Sequence, residues 1–314
     1  QIVDSVRGGT DTGGSGADVG MKKIQPASIT AEVAPTANTN GGIKSIDSDG
    51  FTLLSGDDSS DRSNGTCRTS YTYVGWGWKA GGSASSNSTG DHTSTVSANT
   101  ISKISIGTYT GNKTDDVTVG HGLGVVPEMI ITKARDVNES WIVYHKAIGS
   151  THYLRFHDTH AKEDDAYLWS DSDPTSTLVT LGNNEGTNDD EGMVMYAFAS
   201  VQGYSKIGSY SANNNADGPF IYTGFKPAWL ILKVVDGNTG GWDIYDNKRG
   251  FNPNEEVLQA NANSAEASND AIDLLSNGFK IRNTSGNQNG SGDTLIYMAF
   301  AEAPFVNSNG VPCN

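Results

Sequence analysis

Gly224–Lys233 reads GFKPAWLILK: a glycine, then a proline, then an apolar run that closes on lysine. The chain carries the same arrangement earlier, at Gly124–Lys133, GVVPEMIITK. Working outward, the flanks repeat in the same order. Ser102–Tyr109 (SKISIGTY) answers Ser205–Tyr210 (SKIGSY), Trp141–Tyr144 (WIVY) answers Trp242–Tyr245 (WDIY), and Met193–Ala199 (MVMYAFA) answers Leu295–Ala301 (LIYMAFA). Matches that keep one order and an offset that hardly drifts mean a tandem duplication, and such periods are sought before any other feature. The unit is about 100 residues, the usual size of a β-sandwich domain.

A third, incomplete copy precedes these two. Ile2–Gly8 (IVDSVRG) aligns with Ile244–Gly250 (IYDNKRG), Asp49–Thr52 (DGFT) with Asn277–Lys280 (NGFK), and Tyr73–Gly77 (YVGWG) with Tyr297–Ala301 (YMAFA). On this alignment the front half of the first copy has no counterpart, and residues upstream or a partner chain are expected to complete it. Tyr73–Gly77 then reads as the closing strand of the first copy, its alternation marking one buried face. Trp76 stands where the other copies carry Phe198 and Phe300, which favours core packing for it, while Trp78 lies past the aligned strand. The expected division is an incomplete first copy over 1–80, a Gly/Ser/Thr-rich linker or loosely held edge segment over 81–100, a second copy over 101–200, a third over 203–301, and an extended tail over 302–314. Helix is expected to be scarce, with Thr159–Trp169 and Asn254–Asp273 read as loops holding a turn of helix at most.

Composition agrees with short strands joined by polar turns. Of 314 residues 35% are hydrophobic and 38 are glycine, so the cores are thin. Lys+Arg is 21 against Asp+Glu 36, a formal charge of −15 that repels phosphate backbones and anionic lipid. Nucleic-acid binding and membrane insertion are therefore not expected, and no apolar run approaches the roughly 20 residues of a spanning helix. Two cysteines, Cys67 and Cys313, are too few for a disulfide framework or a thiolate zinc site; one bridge or two free thiols remain open.

Several constellations invite chemistry. His145, His152, His157 and His160 crowd one region, but the third copy has Asp246 in place of His145 and nothing like the run His157–His160. Exposed strand and loop histidines are the favoured reading over a metal site. Acidic loops supply hard oxygen ligands suited to calcium, and Asp57, Asp58, Asp61, Asp189 and Asp190 are the candidate ligands. Asp47–Gly50 (DSDG) looks like the start of an EF-hand loop but lacks the far glutamate, so it reads as a turn before a strand. Gly120–Gly124 (GHGLG) lacks the Lys and Ser/Thr of a phosphate loop and also reads as a turn. No nucleophile–base–orienter set is recognisable, and no catalytic residue is assigned. The paired W-x-x-Y pattern stands out: Trp141, Tyr144, Trp242 and Tyr245 either pack in cores or stack on sugar rings. Retention in both copies favours packing; as surface groups they are the candidate ligand-binding residues.

The motifs GHGLGVVPEMIITK, YVGWGWKAGG with STVSANT, and FAEAPFVNSNGVP resemble a repeat domain of virion structural and tail-fibre proteins of marine bacteriophages, cyanophages among them. The resemblance covers nearly the whole chain. It implies an all-β protein of tandem β-sandwich modules, jelly-roll and concanavalin-like or laminin-G-like, on an extracellular virion surface. It further implies self-association as a homotrimer, contacts with other virion proteins, and attachment to host surface glycans; calcium, from the acidic loops, is the candidate cofactor. A purely architectural role, as capsid decoration or spacer, is the alternative; a polysaccharide depolymerase is the third reading. The resemblance brings no catalytic residues, so the chain is not expected to be an enzyme.

Overall fold

A computed structural model describes residues 1–8, 20–33, 42–54, 66, 71–237, 239–250, 252 and 254–304. The fold is all-β. A short hairpin comes first, β1 (Gly42–Ile46) with β2 (Phe51–Leu54). There follow β3 (Ser85–Asn87), β4 (Ser94–Asn99), β5 (Ile104–Thr110), β6 (Val117–Gly120), β7 (Met129–Ala134), β8 (Ile142–His145), β9 (His152–Arg155) and β10 (Glu163–Asp164). Next are α1 (Ala166–Trp169), β11 (Leu178–Leu181), α2 (Glu185–Asn188) and β12 (Gly192–Phe198). The rest comprises β13 (Ser205–Ser211), β14 (Phe220–Tyr222), β15 (Pro227–Val234), β16 (Asp243–Asp246), β17 (Asn254–Gln259), β18 (Ala267–Leu275), β19 (Gly278–Ile281), α3 (Gly286–Asn289) and β20 (Thr294–Ala301).

Two eight-stranded sheets dominate. The first runs β10-β9-β8-β7-β12-β5-β4-β3 and the second β13-β20-β15-β16-β17-β18-β19-β14, all neighbours antiparallel. In both, the strand that starts from the proline-led run lies between the closing strand and the W-x-x-Y strand. Met193 pairs with Ala134 and Phe198 with Met129 in the first sheet; Leu295 pairs with Val234 and Phe300 with Trp229 in the second. Pro227 opens β15, the place where a strand tolerates a residue without an N–H, and the ladder shifts register between Pro227 and Trp229.

The central strands are buried on both faces rather than one. Every residue of β7 and β8 is buried, as are all of β16 and nearly all of β15 and β20. The physical reason is layering. On the outer side of the first sheet, Ile130, Ile142, Tyr144 and Met195 pack under Val119, Val179 and Leu181 of the small β6–β11 sheet. In the second, β14, β18 and β19 fold back so that Ile221, Ile272, Phe279 and Ile281 cover Leu230, Leu232, Leu295 and Tyr297. The inner sides of both sheets meet in one shared core with Ile131, Trp141, Val143 and Val194 from the first, Ile231, Trp242, Ile244 and Ile296 from the second, and Ile24 from the N-terminal segment.

The contacts across this core come in matched pairs. The Trp141 indole donates to the carbonyls of Gln25 (3.2 Å) and Ser28 (3.0 Å), and the Trp242 indole to that of Arg155 (2.8 Å). Glu32 N donates to Arg135 O (2.6 Å) as Lys162 N does to Val235 O (2.8 Å). Glu139 N donates to Ile29 O (3.0 Å) as Gly240 N does to Thr159 O (3.1 Å). Residues 25–32 thus lie against the first sheet as residues 155–162 lie against the second.

Three expectations need correction. Residues 81–100 are not a linker: β4 is laddered along β5, and β3 edges it. Val96, Ser94 and Ser97 are buried there, the two serines donating to Gly120 O and Gly82 O (both 2.8 Å). Gly81 approaches so closely that a Cβ would sit 2.2 Å from Ala98 O. Asn254–Asp273 is not a loop with a helical turn but most of β17 and β18, because pairing with β16 and β19 overrides the Ala/Glu propensity. Tyr73–Gly77 forms no ladder among the described residues. Trp76 is instead partly buried against the shared core, its indole donating to Asp246 Oδ2 (3.2 Å), and Trp78 packs edge-on to Trp229 with ring centroids 5.0 Å apart. Asp47–Gly50 is the hairpin turn expected of it, with Asp47 N bonded to Gly50 O and Asp47 oxygens accepting from Ser45 and Thr52. Cys67 and Cys313 lie outside the described residues, as does the tail after Pro304.

Candidate functional site

Each W-x-x-Y tryptophan lies one residue before the strand that holds its tyrosine, β8 or β16, and the two, three apart, point to opposite faces. Trp141 and Trp242 enter the shared core, while Tyr144 and Tyr245 enter the separate outer cores. Their exposures are 0%, 1%, 3% and 0%, so no ring face is offered to a sugar, and their reading as a surface platform is corrected to core packing. The rings are locked by neighbours. Phe156 stands between the two tryptophans, edge-on to Trp242 at 5.0 Å. The Tyr144 hydroxyl donates to Asp173 (3.4 Å), and the Tyr245 hydroxyl accepts from Gln288 (3.1 Å). Burial pushes both phenols above their ordinary range.

Polar groups that recur between the sheets are also internal. Lys133 and Lys233 are fully buried, and desolvation pulls both ammonium groups down to about 8. Lys133 Nζ donates to Val137 O (3.2 Å) and Ala134 O, and Lys233 Nζ to Gly240 O (2.9 Å), Val234 O (3.0 Å) and Thr159 O (3.2 Å). Asn188 and Asn289 close the one-turn helices α2 and α3. Asn188 accepts from Asn112 N (2.9 Å) and donates to Thr114 O and Gly182 O; Asn289 accepts from Asn213 N (2.8 Å) and donates to Asn215 O and Asn283 O. Tyr109 and Tyr210 donate to the backbone of Thr187 and Gln288 beside them. Asp243 accepts from Gln259 (2.8 Å) and Gln288, and burial raises its carboxyl to about 6. These groups brace loops rather than face solvent.

Of the candidate calcium ligands, Asp57, Asp58 and Asp61 lie outside the described residues. Asp189 is buried and paired with Lys113 at 3.1 Å, and Asp190 is exposed beside it. No group of three or more metal-ligating side chains occurs among the described residues. The histidines disperse: His145 is buried, with Nδ1 accepting from Ala147 N, and its ring is pulled down to about 4 chiefly by desolvation. His157 accepts from Trp141 N (3.3 Å), and His160 pairs with Asp158 (2.8 Å).

A surface groove is lined by Glu139, Tyr167, Asn183, Asn184 and Glu185. It forms because α1 buries Leu168 and Trp169 and so turns Tyr167 outward, 59% exposed. Asn184 caps α2 through Gly186 N (2.9 Å) and donates to Asp165 (3.1 Å), and Glu185 pairs with Lys113 at 2.9 Å. An exposed phenol ring among carboxylates and amides suits stacking on a polar ring. Sequence reading passed over it; the signal available was Tyr167 preceding the apolar pair Leu168 and Trp169.

A family model described as Domain of unknown function (DUF7483) matches residues 2–304, and the chain belongs to that family. No curated protein and no solved structure matches the chain.

Proposed function

We propose, from membership of the DUF7483 family as the premise, that this chain is an architectural component of an extracellular particle, a structural part of a phage virion of the kind its motifs resemble. It consists in this reading of three copies of one unit, the first incomplete. What supports the reading is the fate of the residues shared by the second and third copies. Trp141 and Trp242, Lys133 and Lys233, Asn188 and Asn289 are all buried, and the tryptophans bind one unit to the next. Residues retained for a ligand would face solvent. Self-association, with a homotrimer as the expected form, and contact with other virion proteins follow from the same role.

A second reading, contact with host glycans, is favoured by the Tyr167 groove alone. Labelled protein incubated with host cells, with and without EDTA, separates the two. The architectural role predicts no saturable adsorption and no sugar in the supernatant. Saturable adsorption that falls with Tyr167→Ala would replace it with the glycan reading. EDTA sensitivity would point to calcium in the acidic loops, and released oligosaccharide would overturn both readings in favour of a depolymerase.

A further inference from the structure

Among the described residues the outermost strands of the two sheets are β10 and β3 in the first and β13 and β14 in the second. Three of these edges are short: β10 is the acidic pair Glu163–Asp164, and β3 and β14 have three residues each. Shortness and charge are how natural sheets keep an edge from pairing with another chain. β13 has neither protection. It runs for seven residues, Ser205–Ser211, holds no proline, and carries its one charge, Lys206, near its start.

The ladder fixes which backbone groups of β13 look outward. Ala301 N donates to Tyr204 O (2.8 Å) and Ala212 N to Asp293 O (2.9 Å), so the even-numbered residues face β20 and the odd-numbered ones face away. At the start of the strand the chain itself closes the outer side. Ser205 exchanges both backbone bonds with Val201 (2.9 and 3.1 Å), and Ile207 N donates to Ser200 Oγ (2.9 Å). Further along, Ile207 O and the N–H and C=O groups of Ser209 and Ser211 have no partner among the described residues, and both serines are exposed. In the first sheet β5 holds the place of β13, with Tyr109 opposite Met193 as Tyr210 is opposite Leu295. There the same side is laddered, Ile106 to Ser97 and Thr108 to Thr95 of β4. A strand in this place thus accepts a neighbour on that side.

We propose that the outer edge of β13 pairs with the same edge of a second copy of this chain, antiparallel about Ser209. What singles out a second copy is that this edge is complementary to itself. Pairing odd with odd residues sets Ser209 opposite Ser209 and Ile207 opposite Ser211. It joins Ser209 N–H to Ser209 C=O and Ser211 N–H to Ile207 C=O, each twice. On the neighbouring positions Gly208 meets Tyr210 and Lys206 meets Ala212, so no like charges stand face to face. The chain carries a formal charge of −15, which sets copies against one another, and Ile207–Ser211 is an uncharged seam along which they can meet. Affinity comes from main-chain bonds, as in strand addition generally. The contact is isologous and closes at two copies. A three-fold assembly would use another surface, so this inference does not rest on the architectural role, and adsorption results leave it untouched.

The test is sedimentation of the whole chain at low ionic strength over a wide range of concentration, together with amide exchange. Expected are a concentration-dependent dimer and slower exchange at Ser209 and Ser211 in the dimer than in the monomer. Ser209→Lys alone and Ser209→Glu alone should each weaken association about fivefold, because each sets like charges directly opposite. An equimolar mixture of the two variants should associate at least as tightly as the parent. Because Ser209 is exposed, an unchanged melting transition certifies that each variant is folded. A chain that stays monomeric throughout overturns the proposal. So does protection of Ser209 and Ser211 in the monomer, which would show the edge covered within the chain. Association indifferent to Ser209→Lys, or weakened by it and not restored in the mixture, overturns it too, since the seam would then not be β13 against β13.

Discussion

Trp242→Phe tests whether the recurrent tryptophans hold the molecule together. The substitution removes the indole N–H that bonds Arg155 O at 2.8 Å and leaves that carbonyl without its partner in a buried site. An orphaned buried acceptor costs about 1–3 kcal/mol. The fused ring lost from a site 1% exposed leaves a void next to Phe156, which adds about 1–2 kcal/mol, a fraction of the range for full truncation of a buried Trp. The sum is a loss of about 2–5 kcal/mol. It is read as a lower midpoint in urea at unchanged slope, followed by circular dichroism so that the fluorophore removed is not the probe. Tyr167→Phe, at an exposed ring, is the control and should fall within about 0.5 kcal/mol of the parent. Combining Trp242→Phe with Phe156→Leu should show a coupling of about 0.5–1.5 kcal/mol, the ring contact between the units. If Trp242→Phe matches the control in stability while abolishing adsorption to cells, the tryptophan is a surface group and the reasoning fails.

Three further outcomes follow from the same geometry. Because both sheets line one core, calorimetry should show a single coupled transition; two well-separated transitions would mean the sheets unfold independently. Asn289→Ala strands Asn213 N and the carbonyls of Asn215 and Asn283, and should cost about 2–4 kcal/mol by thermal or urea unfolding, as should Asn188→Ala at the matched place. The pH profile carries two opposed contributions. The Asp243 carboxyl is raised from 3.8 to about 6, so its contribution is fully present below 3.8 and is lost as pH rises through 6, a swing of at most about 3 kcal/mol. The His145 ring is lowered from 6.5 to about 4, so its contribution is present above 6.5 and is lost as pH falls through 4. Asp243→Asn should therefore make stability fall more steeply on acidification from pH 7 to 4, as melting temperatures across that range would report.

The matched pairing of the proline-led, closing and W-x-x-Y strands in the two sheets was legible because its landmarks are backbone landmarks. Proline before an apolar run, a glycine turn before Phe279, and a closing M/L-x-x-x-A-F-A strand each specify geometry as well as burial. Burial on both faces was half-legible: EMIITK has no polar alternation, which is how a strand covered on two sides reads. The edge strand β3 and its neighbour β4 were half-legible. Their ladder is made by Ser, Thr and Asn, and Val96 is the one large apolar residue they contribute to burial, so composition pointed to a linker or a loosely held edge rather than to a laddered strand. Asn254–Asp273 misled in the opposite way, since local Ala and Glu favour helix while partners on both sides were nonlocal. The groove at Tyr167 depends on which side of a single helical turn meets the core, and no periodicity can be read from four residues.

The corner after the W-x-x-Y strand takes two chemistries at the three places that align in the sequence. In the first, Asp4 accepts from Arg7 Nε (2.5 Å) and Arg7 N, Arg7 reaches Glu32 (2.9 Å), and Tyr196 from the first sheet donates to Asp4 (2.7 Å). In the third, Asp246 accepts from Arg249 Nε (2.6 Å), Arg249 reaches Glu266 (3.4 Å), and Trp76 donates to Asp246. The second of these corners has His145, Ile148 and Lys162 at the matched places, so all three charged roles change together. Ile148 joins the shared core and His145 keeps only the turn bond from Ala147 N (3.1 Å). A carboxylate at His145 would be buried with no guanidinium opposite, and unpaired buried charge costs about 3–5 kcal/mol. His145→Asp alone should lose that much in urea unfolding. His145→Asp with Ile148→Arg should recover little, because the place matched to Glu32 holds Lys162, a cation paired with Asp236 (3.6 Å), and supplies no carboxylate. Adding Lys162→Glu should recover most of the loss, since the three substitutions rebuild the set that Asp4, Arg7 and Glu32 form. Full recovery with two changes, or none with three, would break the correspondence between these corners.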